Sequence, residues 1–364
     1  MNFLFWSPSK MTIEKAVLGL GRYTAEWFEK APAPHGDGEV LIIQIDSKAT
    51  PTATDSELER RRGKRQRDRR APSPRHRGRH KRWKFGSKPR RKKGDKSKNG
   101  KAATLVVMYT LKIGVDRDGK PALLGPLNRK FYASYAGKRH AFAIARREAD
   151  KRGFPRGTDK LVQVVTDGDE DFRGYTTDFF PGAIHTLDVM HVMEKLWEAG
   201  GCLYPEGSPE LRGWVKKLER LVYRGKTVEV LAEIFEASVR IPQRGPGTKA
   251  RRERLASIHD YLFKRVEQMN YGWLRRKDLE IASGSVEGAV RHVIAKRFDN
   301  GSMRWIRERA EALLQLRCID MNGDWEAFMG FVGEKVAAEL RRERGEHRIL
   351  TRRPAPLPTL GLTA

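Results

Sequence analysis

The chain has 364 residues, 39% of them apolar, which is enough for one or two globular domains and excludes a disordered or collagenous protein. No apolar run approaches the roughly 18 to 20 residues that a membrane helix needs, and the opening segment is too polar for a signal peptide. Two isolated cysteines, Cys202 and Cys318, indicate neither a disulfide framework nor a zinc site, so we expect a soluble chain in a reducing compartment.

The net charge of +27 is concentrated in one segment. Between Arg60 and Lys101 lie 22 Lys and Arg residues and only two acids, a net charge of +20. The segment is rich in Pro, Gly and Ser and has no helical or alternating period, which predicts a flexible basic arm. Its expected partner is nucleic acid, because each neutralised phosphate releases counterions; a weakly selective, solvated charge run is the alternative. The candidate nucleic-acid contacts in this arm are Arg60, Arg61, Arg62, Arg69, Arg70, Lys81, Arg82, Arg90, Arg91, Lys92 and Lys93.

The arm lies between two predicted strands. Before it, Val40–Ile45 is a mostly β-branched apolar run that indicates a strand buried on both faces, with Asp46 at its exit. After it, residues 103–113 predict a second strand, and the Asp118-Gly119 turn leads to a third strand over 121–133. The basic arm is therefore predicted to connect the first two strands of a sheet.

The remaining elements alternate between helix and strand. The period of residues 137–152 is that of an amphipathic helix, residues 161–166 predict a fourth strand that Asp167 terminates, and 184–188 predict a weaker fifth strand. From 189 to about 280 every strong pattern is helical.

A last core helix is predicted to begin at Ser283 or Ser285, either of which would cap it, and to run through Arg297. Further helices are expected at about 305–320 and 324–344. This order predicts an α/β fold whose mixed sheet is antiparallel at its start and parallel afterwards, with helices on its faces.

Three acids stand out by position. Asp46 and Asp167 each follow an apolar strand, at an edge that ligands commonly occupy in open α/β sheets, and Glu287 lies near the start of the last core helix. If they converge, mutual repulsion raises their pKa values, and an all-oxygen site suits Mg²⁺ or Mn²⁺. Two such ions about 3.5 to 4 Å apart can drive an in-line phosphoryl displacement. A turn at Asp167-Gly168 and a dipole-stabilised Glu287 are the simpler alternatives.

Three stretches carry a family resemblance: VVTDGDEDF, then FFPGAIHTLDVMHVMEKLWEAG, then SGSVEGAVRHVIAKRFDNGSMRWIRERAEALLQLRCIDMNGDWEAF. Over about residues 160–332 the chain resembles DDE transposases of the ISKra insertion-sequence group, related to the Mutator-like transposases, and IQIDSKATPT is the matching first-Asp motif. The resemblance implies a ribonuclease H-like catalytic fold, an all-helical insertion before the last acid, and two Mg²⁺ (or Mn²⁺) ions held by Asp46, Asp167 and Glu287.

Two further residues belong to that resemblance. Asp188 and His191 lie in the LDVMH motif as possible accessory residues: Asp188 as a reserve metal ligand, and His191 as a contact to the scissile phosphate or an organiser of the metal site. A packed or surface histidine is the alternative. Arg297 and Arg304 would hold DNA near the active site. Trp305 would either join them or pack in the core.

The resulting domain plan has five parts. They are an N-terminal segment (1–38), a first part of the ribonuclease H-like core (39–191, with the arm at 60–101), a helical insertion (192–280), the last part of the core (281–332), and a C-terminal helix end with a loose tail (333–364).

The expected function is transposition of a bacterial insertion sequence. The enzyme would hydrolyse a phosphodiester at the transposon end and join the exposed 3′ hydroxyl to target DNA, as a homo-oligomer assembled on DNA in the cytoplasm and associated with the nucleoid. Two alternatives remain: a non-catalytic or decayed nucleic-acid-binding protein, and a ribonuclease H-like structure-selective nuclease.

Overall fold

A computed structural model describes residues 9–53, 59–60, 100–299 and 305–350. Its main sheet has the order β3-β2-β1-β4-β5, in which β1, β2 and β3 are antiparallel neighbours while β1, β4 and β5 run parallel. The predicted α/β class with a mixed sheet flanked by helices is confirmed, and the arrangement is compatible with a ribonuclease H-like fold. The strands are β1 (Val40–Ala53), β2 (Gly100–Val115), β3 (Pro121–Ser134), β4 (Leu161–Thr166), β5 (Ile184–Leu187) and the short β6 (Trp305–Ile306), which pairs with the end of β1.

One face of the sheet is wholly apolar around β1 and β4. Leu41, Ile43, Val162 and Val164 pack there against two helices, with Phe142 at the centre of the cluster. The helices are α3 (Lys138–Lys151) and α4 (Glu170–Phe179). Because adjacent residues of a strand point to opposite faces, the continuous apolar runs predicted from the sequence let β1 and β4 be covered on both sides.

The other face supports most of the helices. The main core there runs from Ile42 and Leu105 of the sheet to residues such as Leu196, Leu218 and Ile258 of the helices between β5 and residue 280. These helices are α5 (Val189–Gly201), α6 (Pro209–Tyr223), α7 (Thr227–Arg240), α8 (Thr248–Phe263) and α9 (Tyr271–Arg276). They are followed by α10 (Gly284–Ala289), a π-helical turn (Val290–Ala295) and α11 (Lys296–Phe298).

The two ends of the described chain pack on each other. Tyr23 and Trp27 share a small core with Ile319 and Phe328, and the Trp27 and Phe328 rings lie 5.9 Å apart. The elements involved are α1 (Lys10–Gly21), α2 (Thr24–Lys30), α12 (Arg307–Met321) and α13 (Trp325–Leu350).

Several strand bounds differ from the prediction, and β2 spans Gly100–Val115 instead of 103–113. β1 does not end at Asp46: its parallel pairing with β4 stops at the pair Ile45–Thr166, but its antiparallel pairing with β2 continues to Pro51. β5 ends one residue early, because Asp188 already caps α5 by accepting a hydrogen bond from the Met190 amide.

The predicted side-chain cap of the last core helix is wrong. Ser283 occupies the N-cap position of α10 without a capping hydrogen bond, because its hydroxyl instead donates to the Asp188 carboxylate. The helix does extend past Arg297 as predicted, but by way of the π-helical turn.

Most of the basic arm lies outside the described residues. This applies to every candidate contact of the arm except Arg60, and also to Arg304. Among the residues that are described, no helix is both long and apolar enough to cross a bilayer. The candidate contacts outside the description are Arg61, Arg62, Arg69, Arg70, Lys81, Arg82, Arg90, Arg91, Lys92, Lys93 and Arg304.

Candidate active site

Asp46 and Asp167 extend from neighbouring points of one sheet edge. Each directly follows a member of the last parallel pair between β1 and β4, Ile45–Thr166, and neighbouring strands lie only about 4.8 Å apart. Asp46 Oδ1 accepts a hydrogen bond from the Ser47 amide at 2.5 Å, and Asp167 Oδ1 accepts one from the Asp169 amide at 3.0 Å. Within the described chain, Oδ2 of each carboxylate accepts no hydrogen bond, so it is available to a ligand.

The surroundings of these two carboxylates disfavour their charged forms. Burial raises the pKa of Asp46 to about 6; the Ser47 amide and the charge of His191 oppose this rise, and the charges of Asp167 and Glu287 add to it. Burial also raises the pKa of Asp167, although the hydrogen bond from the Asp169 amide opposes this rise. Asp167 and Glu287 therefore both lie within electrostatic range of Asp46, and a bound cation would offset the cost of ionising the two buried aspartates.

The helices after β5 hold the turn at Asp167. Gly168 adopts φ +79°, and an added Cβ would collide with the Tyr261 hydroxyl and the Leu187 side chain. The Tyr261 hydroxyl donates to the Asp167 carbonyl at 3.2 Å, and Arg265 Nε donates to the Gly168 carbonyl at 2.9 Å. The Asp-Gly pair is thus a turn, as the simpler alternative proposed, and this turn also fixes the direction of the Asp167 carboxylate.

The segment that leads to Glu287 is residues 280–286. Two buried glutamines of the sheet form hydrogen bonds with the backbone of this segment. Gln163 of β4 donates to the Glu280 carbonyl at 2.6 Å and accepts from the Glu280 amide at 3.0 Å. Gln44 of β1 donates to the Ala282 carbonyl at 3.3 Å and accepts from the Val286 amide at 3.1 Å.

Both glutamines are on the same face of the sheet as the two aspartates. Side chains alternate along a strand, so Gln44 and Asp46 share a face, as do Gln163 and Asp167. Both amides are almost wholly buried, and a buried amide without partners costs about 1 to 3 kcal/mol. The segment that leads to Glu287 is therefore fixed in register on the face from which the aspartates extend.

Asp188 and His191 form a second, more enclosed group at this edge. Asp188 is fully buried, and its carboxylate accepts hydrogen bonds from the Ser283 hydroxyl and the Met190 amide. Its Oδ2 lies 3.5 Å from His191 Nδ1. Burial alone would raise the pKa of Asp188, but His191, Ser283 and Met190 together hold it below its ordinary value. Asp188 in turn raises the pKa of His191 to about 8, although burial opposes this.

One group of described side chains has the spacing to hold a metal ion. Ligand atoms of Asp188, His191 and Glu287, one from each residue, lie within 4.8 Å of one another. An imidazole in that set suits Zn²⁺ or Fe²⁺ better than Mg²⁺. The predicted set of Asp46, Asp167 and Glu287 offers only oxygen, the donor that Mg²⁺ and Mn²⁺ prefer, but the structure does not bring these three carboxylates within the same spacing. Glu287 is common to both sets, and Asp188, the predicted reserve ligand, is the aspartate that lies beside it.

Of the other predicted contacts, Arg60 and Arg297 are exposed to solvent. Arg297 lies in α11, which continues the helical path of α10, and burial together with the charge of Arg297 lowers the pKa of Arg317. Trp305 is half-buried with its ring 5.3 Å from that of Phe298, so it packs in the core.

Sequence reasoning missed the residues that position the acids. Gln44 and Gln163 were visible as single amides inside otherwise apolar strands, and a buried amide needs hydrogen-bond partners. Tyr261, Arg265 and Ser283 gave no comparable signal, because their partners lie 94 to 97 residues away in the chain.

Comparisons with known proteins add no family assignment. No protein-family model matches the chain, and a search of curated proteins finds no match.

Proposed function

We propose that the protein is a DDE-type DNA transposase that cleaves phosphodiester bonds and transfers DNA strands at a ribonuclease H-like site. The single observation that carries this proposal is the placement of Asp46 and Asp167 on adjacent parallel strands, with Asp46 within electrostatic range of Glu287. Burial raises the pKa values of Asp46 and Asp167 even though the charge of His191 opposes the rise. Further positive charge, such as bound metal ions, would stabilise the ionised carboxylates.

Each residue has a defined part in this proposal. Asp46, Asp167 and Glu287 would hold two Mg²⁺ or Mn²⁺ ions, which supply charge stabilisation for the attacking and leaving oxygens of an in-line displacement. The Asp167 turn and the glutamine-held segment keep these carboxylates in place before substrate arrives. His191, charged near neutral pH and oriented by Asp188, is placed to attract a phosphate oxygen. Water would be the first nucleophile and the 3′ hydroxyl the second.

The proposed partner is DNA, both transposon ends and target. The net charge of +20 between Arg60 and Lys101 supports a polyanionic partner, and the exposed Arg297 lies on the helical path that begins at Glu287. Assembly of two or more copies on DNA, in the bacterial cytoplasm and nucleoid, belongs to the same proposal.

The direct test is strand cleavage and joining with Mg²⁺ or Mn²⁺ on DNA that carries the element's ends. Asp167→Asn and Glu287→Gln should each abolish both products, while Asp178→Asn, a matched change of an exposed acid in α4, should leave them intact. Full activity of either site variant would remove the proposed centre.

The products also separate the alternatives. A structure-selective nuclease with the same carboxylates would cut branched DNA and never join ends. A non-catalytic or decayed nucleic-acid-binding protein would bind DNA and show no metal-dependent cleavage with any substrate.

A further inference from the structure

A cationic pocket lies between the ends of two helices in the helical block. It has a volume of about 400 Å³ and is lined by Tyr223, Arg224, Gly272, Arg275 and Arg276. Arg224 follows the last residue of α6, and the other two arginines form the last turn of α9. The three arginines therefore come from two parts of the chain and line one concavity.

The packing of the two helix ends brings these arginines together. An added Cβ at Gly225 would lie 3.2 Å from the Gly272 amide nitrogen, and one at Gly272 would lie only 2.5 Å from the Arg224 carbonyl oxygen. Only glycine at these two positions allows the backbones to approach so closely. The Arg275 guanidinium crosses this junction, with its Cζ 5.3 Å from the Tyr223 ring centroid and its Nη1 3.5 Å from the Tyr223 carbonyl.

No acid neutralises the pocket. None of its lining residues is acidic, and in the described part of the chain none of the three arginines lies within ion-pair distance of a carboxylate. All three side chains are exposed. Arginines at helix C-termini interact favourably with the dipole, but three gathered around one cavity also repel one another, and an anion would offset that repulsion.

We propose that this pocket binds a phosphate group of the nucleic-acid backbone. Guanidinium groups bind phosphate oxygens through paired N–H donors, and a concave arrangement lets several guanidinium groups contact one phosphate. The proposal rests on nucleic acid being the partner of this protein, and it adds a contact separate from both the basic arm and the carboxylate site.

Arginine-selective modification with phenylglyoxal, followed by mass spectrometry of the full-length protein, tests the pocket directly. The reaction is run in EDTA with no addition, with duplex DNA, or with inorganic phosphate. Duplex DNA should slow modification of Arg224, Arg275 and Arg276 several-fold. Arg212, an exposed arginine in the first turns of α6 and outside the pocket, is the matched control and should react at an unchanged rate.

The salt dependence of DNA binding gives a second readout. The double variant Arg275→Ala/Arg276→Ala should reduce the slope of log K against log[salt] by about 0.9, the change expected for one lost phosphate contact. Arg212→Ala should leave the slope unchanged.

Two outcomes would contradict the proposal that this pocket binds a backbone phosphate. One is equal reactivity of all four arginines with and without duplex DNA, which is readable even if the double variant does not fold. The other is protection by inorganic phosphate but not by duplex DNA, which would make the pocket a small-anion site. Because no metal is present, neither outcome depends on the carboxylate chemistry, so a failed pocket is distinguishable from a failed active site.

Discussion

The two faces of β1 and β4 are built on different principles. On one face, Leu41, Ile43 and Val164 bury apolar surface against α3 and α4. On the other, Gln44 and Gln163 interrupt the apolar pattern and hydrogen-bond to the backbone of residues 280–286. Packing on the first face requires only apolar side chains of suitable size. Packing on the second face requires hydrogen-bond partners from one distant segment of the chain, and the candidate aspartates lie on this face.

The contrast shows how the sheet separates stability from chemistry. An apolar face tolerates changes that keep its volume, whereas buried polar groups fix a unique arrangement and are costly when left incomplete. Four substitutions test this division.

The largest effect is expected on the apolar face. Phe142 is fully buried among Phe172, Tyr175 and Phe179, so Phe142→Ala should lower the free energy of unfolding by about 3 to 5 kcal/mol. Urea titration measures this loss. Both the parent protein and the variant are expected to gain stability on addition of Mn²⁺, because Phe142 and the carboxylates are on opposite faces of the sheet. Loss of the metal response would break the proposed separation.

The second substitution, Asp46→Asn, is expected to increase the free energy of unfolding. The pKa of folded Asp46 is about 6, above its ordinary value of 3.8, so the folded state favours the proton. Protonation of Asp46 therefore stabilises the folded state at low pH. This contribution to the free energy of unfolding is lost as the pH rises from about 4 through 6. Asp46→Asn should therefore stabilise the metal-free protein at pH 8 by about 2 to 3 kcal/mol and have little effect below pH 4.

Urea titrations in EDTA at pH 4 and pH 8 measure this difference, with Asp178→Asn as the exposed control. A decrease in stability at pH 8 for Asp46→Asn would contradict the electrostatic account of this site.

Replacing Gln44 sharpens the comparison. Gln44→Met keeps approximate volume but removes the acceptor for the Val286 amide and the donor to the Ala282 carbonyl. We expect a loss of about 1 to 3 kcal/mol and faster hydrogen exchange at the Val286 amide. The concentration of Mg²⁺ needed for half-maximal cleavage should also rise.

Ile42→Met is the matched control. Ile42 lies on the same face of β1 as Gln44, but its apolar side chain forms no hydrogen bond with residues 280–286. If both variants raise the Mg²⁺ concentration for half-maximal cleavage equally, the hydrogen bonds of Gln44 do not position the site.

The smallest effect concerns His191. Its pKa is raised to about 8 by Asp188, so its contribution to stability is fully present below pH 6.5 and is lost as the pH rises through 8. Because His191 is partly exposed, His191→Gln should cost at most about 1 kcal/mol at pH 6 and nothing at pH 9. Thermal unfolding at the two pH values provides the test; a cost that persists at pH 9 would indicate lost packing instead of lost charge.

Local patterns predicted the strands and helices because each depends mainly on its own residues. The run at 161–166 and the amphipathic period over 137–152 appear in the structure with bounds close to those expected, and β1 begins at Val40 as predicted but continues to Ala53. The sequence marked Asp46 and Asp167 as residues that follow apolar runs, and the parallel pairing of β1 with β4 is what places them at neighbouring points.

The parts that sequence reasoning missed depend on partners distant in the chain. Ser283 was expected to cap a helix, which is its usual local preference, but a buried carboxylate 95 residues earlier provides a stronger acceptor. Likewise, nothing near Gln44 indicates that it accepts a hydrogen bond from an amide 242 residues away. Such pairs are settled by tertiary packing, which a single sequence does not display.

The continuation of β1 beyond Asp46 has a further consequence. The chain stays paired with β2 for several more residues and leaves the described sheet at Ala53, about 23 Å along the strand from Asp46 at 3.3 Å per residue. It returns at Gly100, so residues 54–99, which contain 21 of the 73 Lys and Arg residues, are joined at both ends to the paired strands β1 and β2. A polyanion bound by this segment would be held at a raised effective concentration near the sheet, so weak individual contacts would suffice for repeated encounters with the carboxylates.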